Sequence, residues 1–220
     1  MRGKVAAMLA AIMLLAACAG VGYEPAPQAY EADYYEPVYI EKEPQDPAPA
    51  RGLIIGYDLY INDFLGLSFV LPGEDWEFVF DDEVAEIVGA GGARIAEQDE
   101  DFDIDGITGA LYDMVAINRA TGCTVAVMFE DISHIPGTGR YLDEFREQLA
   151  ASGAFEFEFG QDDRVTLGGQ RYDMLSASVE MGGASFRQHY LVRRQGDFMV
   201  VIIASLRGEA QIEQIIEQFG

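Results

Sequence analysis

Asp101, Asp103 and Asp105 stand at alternate positions in Asp99-Glu100-Asp101-Phe102-Asp103-Ile104-Asp105-Gly106. Carboxylates at positions 1, 3 and 5 of a loop, with glycine at position 6, converge on one point and suit a hard cation such as calcium. In such loops the twelfth residue supplies a closing bidentate carboxylate. Here it is Tyr112, and the eighth residue, usually apolar, is Thr108. The spacing therefore predicts weak calcium binding by Asp101, Asp103 and Asp105. The competing reading is a solvated acidic loop before a strand at Leu111.

Nucleophilic chemistry has fewer footholds. The two histidines are His134, in the loop-like Ser133-His134-Ile135-Pro136-Gly137, and His189, inside an expected strand. If Gly182-Gly183 is a two-residue turn, the register across it sets Ser176 opposite His189. A third group orienting that imidazole would make a nucleophilic triad. No sharp turn presents Ser176, however, and His189 is expected at a partly open position beside Arg187. Two histidines without a locatable third ligand also fall short of a zinc site. Cys123, in Thr121-Gly122-Cys123-Thr124-Val125, has no base next to it and reads as a small buried hydrophobe.

Cys18 is different, because its setting is an address. Arg2 and Lys4 precede an apolar run from Val5 to Leu15, and Leu15-Ala16-Ala17-Cys18 follows as a lipobox. An apolar stretch this short reads as a signal peptide rather than a membrane span. The small alanines fit a peptidase pocket, and the Cys18 thiol can carry diacylglycerol as a thioether. Residues 1–17 are thus expected to be a lipoprotein signal peptide, with the mature bacterial lipoprotein starting at Cys18.

Charge supports an anchor made of lipid. The formal charge of −24 becomes about −26 once Arg2 and Lys4 are removed. A surface this acidic disfavours nucleic acid and is repelled by anionic headgroups, so acyl chains must hold the protein at the membrane. With Cys18 lipidated, Cys123 has no thiol to pair with, and the exported domain must depend on its core.

Residues 18–52 read as the lipidated cysteine followed by a disordered acidic tether. This stretch holds six of the eight prolines, and seven acids against Lys42 and Arg51, with no helical or strand period. It cannot bury enough apolar surface to offset its chain entropy. Residues 53–220 are long enough to bury a core and read as one globular α+β domain.

Glycine pairs punctuate its C-terminal half. Gly168-Gly169, Gly182-Gly183 and Gln195-Gly196-Asp197 predict hairpin turns joining strands near Arg164–Leu167, Gln170–Met181, Ala184–Arg194 and Phe198–Ser205. Leu175, Ala177 and Val179 then share a face with Phe186, Tyr190 and Val192. Phe198 to Ile203 is apolar at every position, so both faces of that strand should be covered. Further strands are expected at Leu67–Leu71, Leu111–Asn118 and Thr124–Phe129. Helices are expected at Asp82–Val88, Tyr141–Ala151 and Glu209–Phe219, the last with Ile212, Ile215, Ile216 and Phe219 on one stripe. The predicted architecture is an antiparallel meander with helices on both faces, an αβα sandwich.

Leu65-Gly66-Leu67-Ser68-Phe69-Val70-Leu71-Pro72, followed by Trp76, resembles the opening strand of the family of the photosystem II extrinsic P protein and the small Ran-binding import factor. Here Gly73-Glu74-Asp75 is inserted before Trp76. The hairpins and closing helix follow in the same order. The resemblance implies a non-catalytic adaptor or assembly module without a shared active site.

The expectation is a lipoprotein anchored on the extracytoplasmic face of the cell membrane. It would act as a non-enzymatic interaction or assembly module, with a protein partner the sequence does not name, no nucleic acid, and no cofactor beyond weakly held calcium. The alternatives are a weak calcium-dependent binding protein and, behind it, an exported hydrolase.

Overall fold

The computed structural model describes residues 50–80, 83–84, 111–132, 135–151, 155–181, 183–208 and 210–220. These residues build two antiparallel sheets and few helices. The larger sheet has eight strands. Its spine comprises β4 (Trp76–Val79), β5 (Leu111–Asn118), β6 (Thr124–Asp131), β9 (Gln170–Met181), β10 (Ala184–Gln195) and β11 (Phe198–Arg207). With β7 (Phe157–Phe159) the order is β4-β5-β6-β11-β10-β9-β7, and β8 (Asp163–Leu167) also pairs with β9. A smaller sheet joins β1 (Leu53–Ile55), β2 (Leu59–Asn62) and β3 (Leu67–Val70) in that order.

The glycine turns set the parity of the long strands. Leu175, Ala177 and Val179 lie beside Tyr190, Gln188 and Phe186, and Ser176 lies opposite His189. Gly168 and Gly169 both hold positive φ, +52° and +74°. Gly168 cannot be replaced on steric grounds either, because a Cβ there would sit 2.6 Å from the Gly220 carbonyl oxygen. The β8–β9 turn thus packs directly on the end of the chain.

β11 is buried along nearly its whole length because each of its faces meets a different layer. Met199, Val201 and Ile203 face α1 (Thr138–Ala151), which inserts Tyr141, Leu142, Phe145 and Leu149. That spacing is one helical stripe, and each such side chain contributes about 1.5–3 kcal/mol on burial. The Tyr141 hydroxyl, whose pKa burial drives well above its usual value, donates to Glu130 Oε2 at 2.6 Å and ties α1 to β6. On the other face, Val200, Ile202 and Ala204 meet Tyr60, Leu65, Leu67 and Phe69 of the small sheet, together with Ile215 and Phe219.

That second layer corrects the sandwich expected from the sequence. The helix there, α2, runs only from Ile212 to Ile216 rather than over Glu209–Phe219. The residues after it pair with β3: Ser68 N donates to the Gly220 carbonyl at 3.0 Å, and Val70 N to the Gln218 carbonyl at 3.1 Å. Phe69 and Phe219 stack with ring centroids 4.7 Å apart. Backbone pairing to an open strand edge outcompetes the last helical turn, while the apolar stripe is still buried. Among the described residues the domain is therefore sheet-dominated, with a long helix on one face and a small sheet plus the short α2 on the other. Of the expected Asp82–Val88 helix only Glu83 and Val84 are described, and both are helical.

Asp113 fastens the small sheet to the large one. The β5–β6 register shifts between Tyr112 and Met114, so Asp113 is the extra residue of a bulge and its carboxylate turns out of the ladder. It accepts from the Tyr60 hydroxyl, from Asn62 Nδ2 at 2.7 Å and from Gly52 N at 2.9 Å. Burial, and then Asp113 itself, push the Tyr60 hydroxyl far above its ordinary pKa, so it remains a donor. Gly52 belongs to this arrangement because a Cβ would collide with the Tyr60 ring and lie 2.8 Å from the Ile61 carbonyl oxygen.

Candidate functional site

The Ser176–His189 pair forms as the register requires, with Ser176 Oγ 2.9 Å from His189 Nδ1. Its surroundings differ from expectation. His189 is 8% exposed, so it is buried rather than partly open. It shares the face of Leu191 and Arg187, where α2 and the small sheet cover the strand. Burial, helped by the neighbouring Arg187 charge and opposed by Glu213, lowers its pKa to about 4. The imidazole is therefore neutral at pH 7. The arrangement is a hydrogen-bonded pair inside a sheet, with one ring nitrogen already committed to serine.

A more open arrangement lies at the other end of β9 and β10. There Thr138, Arg164, Arg171, Asp173, Val192, Arg193 and Arg194 line a hollow of about 330 Å³. It holds four of the ten arginines that follow Leu53. Strand pairing assembles it, since Arg164 is opposite Asp173 and Asp173 is opposite Val192. Thr138 at the start of α1 donates to Asp173 Oδ2 at 2.6 Å, and Arg164 Nε donates to Asp173 Oδ1 at 2.9 Å. The Thr138 hydrogen bond is the largest influence and, with Arg164 and Arg171, holds the Asp173 carboxyl below its ordinary pKa against the opposing effect of burial.

The other arginines are held mostly by groups without charge, although Arg194 Nη2 also lies 3.9 Å from Asp197 Oδ1. Arg193 donates to the Leu65 carbonyl at 3.0 Å and lies 5.3 Å above the Tyr172 ring. Arg194 donates to the carbonyls of Gly196 at 2.9 Å and Pro136 at 3.1 Å. Arg171 is exposed. A neighbouring hollow of about 400 Å³ shares Arg164 and Asp173 but adds Asp143, Asp162 and Asp163. The charge changes sign between the two.

Cys18 and the calcium candidates Asp101, Asp103 and Asp105 lie outside the described residues, as do Gly106 and His134. Among the described residues no group of three His, Cys, Asp or Glu side chains could hold a metal ion. No helix among them is long and apolar enough to cross a membrane. Cys123 is buried, and its sulfur accepts from Arg207 N at 3.3 Å. The arginine hollow was missed in the sequence because its members are scattered from Thr138 to Arg194. The available signal was turn arithmetic: two-residue turns expected at Gly168-Gly169 and Gly182-Gly183 put Arg164, Asp173 and Val192 side by side, as the β8–β9 and β9–β10 registers do.

No protein-family model matches the chain, and no curated protein matches it. Among solved structures, the fold is similar to that of cyanobacterial PsbP (CyanoP) from Synechocystis sp. PCC 6803. The two share 13% identity over 76% of this chain and 93% of that one, with a TM-score of 0.47.

Proposed function

We propose that this chain is a bacterial lipoprotein, held by Cys18 on the extracytoplasmic face of the cell membrane, whose α+β domain is a non-enzymatic interaction or assembly module. The observation that carries this reading is Leu15-Ala16-Ala17-Cys18 behind Arg2, Lys4 and the Val5–Leu15 apolar run. A thioether-linked diacylglycerol explains how a mature chain of charge about −26 stays at an anionic membrane, since two buried acyl chains outweigh the repulsion. The module reading draws on the Ser176–His189 pair, whose neutral, covered imidazole suits a structural hydrogen bond better than proton transfer.

Cys18→Ala is expected to move the protein from the membrane fraction to the soluble or secreted fraction. Unchanged pelleting of the variant after a carbonate wash would rule the anchor out.

A further inference from the structure

In a chain with 38 acidic and 14 basic side chains, four arginines around one hollow reverse the overall charge locally. Elsewhere Arg119 pairs with Glu77 and Glu83, Arg140 with Glu144, and Arg146 with Asp162, whereas Arg187 donates to the carbonyls of Gly208 and Ala210 and Arg207 lies over the Phe186 ring. In the hollow beside α1, Arg164 alone bonds the Asp173 carboxylate. Arg193 and Arg194 are fixed by carbonyls and by the Tyr172 ring, and the carboxylate nearest Arg194 is Asp197 at 3.9 Å. The Arg171 side chain makes no hydrogen bond among the described residues, although its charge acts on Asp173. Carbonyl acceptors and aromatic faces hold a guanidinium in place without cancelling its charge. The result is a preorganised cationic wall, four guanidinium groups against the Asp173 carboxylate and the more distant, exposed Asp197, around a space of about 330 Å³.

We infer that this hollow binds the phosphate group of a small phosphate monoester. Guanidinium forks match the oxygens of phosphate, and a monoester near pH 7 carries a charge of about −1.5 to −2, which suits the excess of positive charge better than one carboxylate would. The adjoining hollow limits the choice. Asp143, Asp162 and Asp163 stand where the next phosphate of a polyanion would lie, so the pair of hollows accepts a single phosphate and rejects a chain of them. The group can come from a free ester or from a lipid headgroup, and the two sources are separable by experiment. Its biological meaning rests on the interaction-module reading. Its test is independent of the anchor, because it uses the full-length Cys18→Ala chain in solution.

Calorimetric titration of that chain with glycerol 3-phosphate is expected to give saturable binding in the millimolar range or tighter, about −4 kcal/mol or better. Adding Arg171→Gln should weaken it at least about fivefold through loss of one charged fork, with the melting temperature unchanged. Arg140→Gln, on α1 but outside the hollow, should leave it alone. Flotation with vesicles containing phosphatidic acid separates the sources. Flotation blocked by glycerol 3-phosphate identifies a headgroup, whereas soluble binding without flotation identifies a free ester. Absence of both, or binding indifferent to Arg171→Gln, overturns the inference while leaving the Cys18 fractionation result standing on its own.

Discussion

Two polar clusters in this domain are built around one aspartate each, and they end in opposite states. Asp113 sits in a bulge under the small sheet and collects donors from Tyr60, Asn62 and Gly52, three groups from a different layer. None of those donors carries a charge, and the part-buried carboxylate takes all of them from the chain that it fastens. Asp173 sits among four arginines of the large sheet, and its charge, even with the exposed Asp197 beside Arg194, leaves an excess of theirs. A polar cluster saturated from within holds layers together. One fixed by neutral acceptors and left out of charge balance is ready for something from outside.

Breaking the first kind of cluster should damage the fold. The largest effect is expected from Ile203→Asp, which puts a carboxylate with no donors where the wild type has a residue 1% exposed between β6, β10 and α1. An unpaired buried charge costs several kcal/mol against a total stability of about 5–15 kcal/mol. Circular dichroism should show an unfolded or molten chain at 25 °C. A native-like melt would mean that the two-faced central strand is wrong.

Asp113→Ala is next. It strands the Tyr60, Asn62 and Gly52 donors in a partly buried place, and urea unfolding should register a loss of about 3 kcal/mol. A loss under about 0.5 kcal/mol would mean that water replaces the carboxylate freely and that the cluster fastens nothing.

His189 offers a pH test of a third, smaller cluster. Its folded pKa of about 4 lies below the ordinary 6.5, so the unfolded chain binds the proton more readily between those values. The contribution of the neutral ring is therefore complete above about pH 6.5 and is lost as the pH falls towards 4, up to about 2–3 kcal/mol. His189→Gln should flatten that part of the stability profile relative to the wild type. Parallel profiles for the two proteins would show that the ring takes up its proton equally readily in the folded and unfolded chains.

The smallest expected stability change belongs to the open cluster. Arg171→Gln should shift unfolding by less than about 0.5 kcal/mol, since the side chain is exposed and bonds nothing in the domain. A large destabilisation would turn the arginine hollow into another piece of structural fastening and erase the contrast with Asp113.

Much of the large sheet was legible in advance. Gly168-Gly169 and Gly182-Gly183 define short turns, and strand parity follows from them, so the Ser176–His189 juxtaposition and the faces of β9 and β10 could be read without coordinates. The unbroken apolar run from Phe198 to Ile203 announced a strand covered on both sides. The strands β1, β2, β4 and β7 were not legible, because each is three or four residues long and exists through its pairing rather than through a periodic pattern. The C-terminal stripe of Ile212, Ile215, Ile216 and Phe219 was recognised as apolar but was given too much helix, since its last residues answer to the edge of β3.

Composition, turn glycines and apolar periodicity are local properties, and they determined the signal-like N-terminus, the strand order of the C-terminal meander and the buried stripe of α1. Tertiary structure alone decided what covers each face, how a bulge aims Asp113 at a distant sheet, and that His189 is enclosed rather than open. It also decided that the arginines of β8, β9 and β10 meet beside α1 with carbonyls for company. Those outcomes depend on which segments approach each other across the core. Burial and charge balance are sums over neighbours far apart in the chain, and no window of sequence contains them.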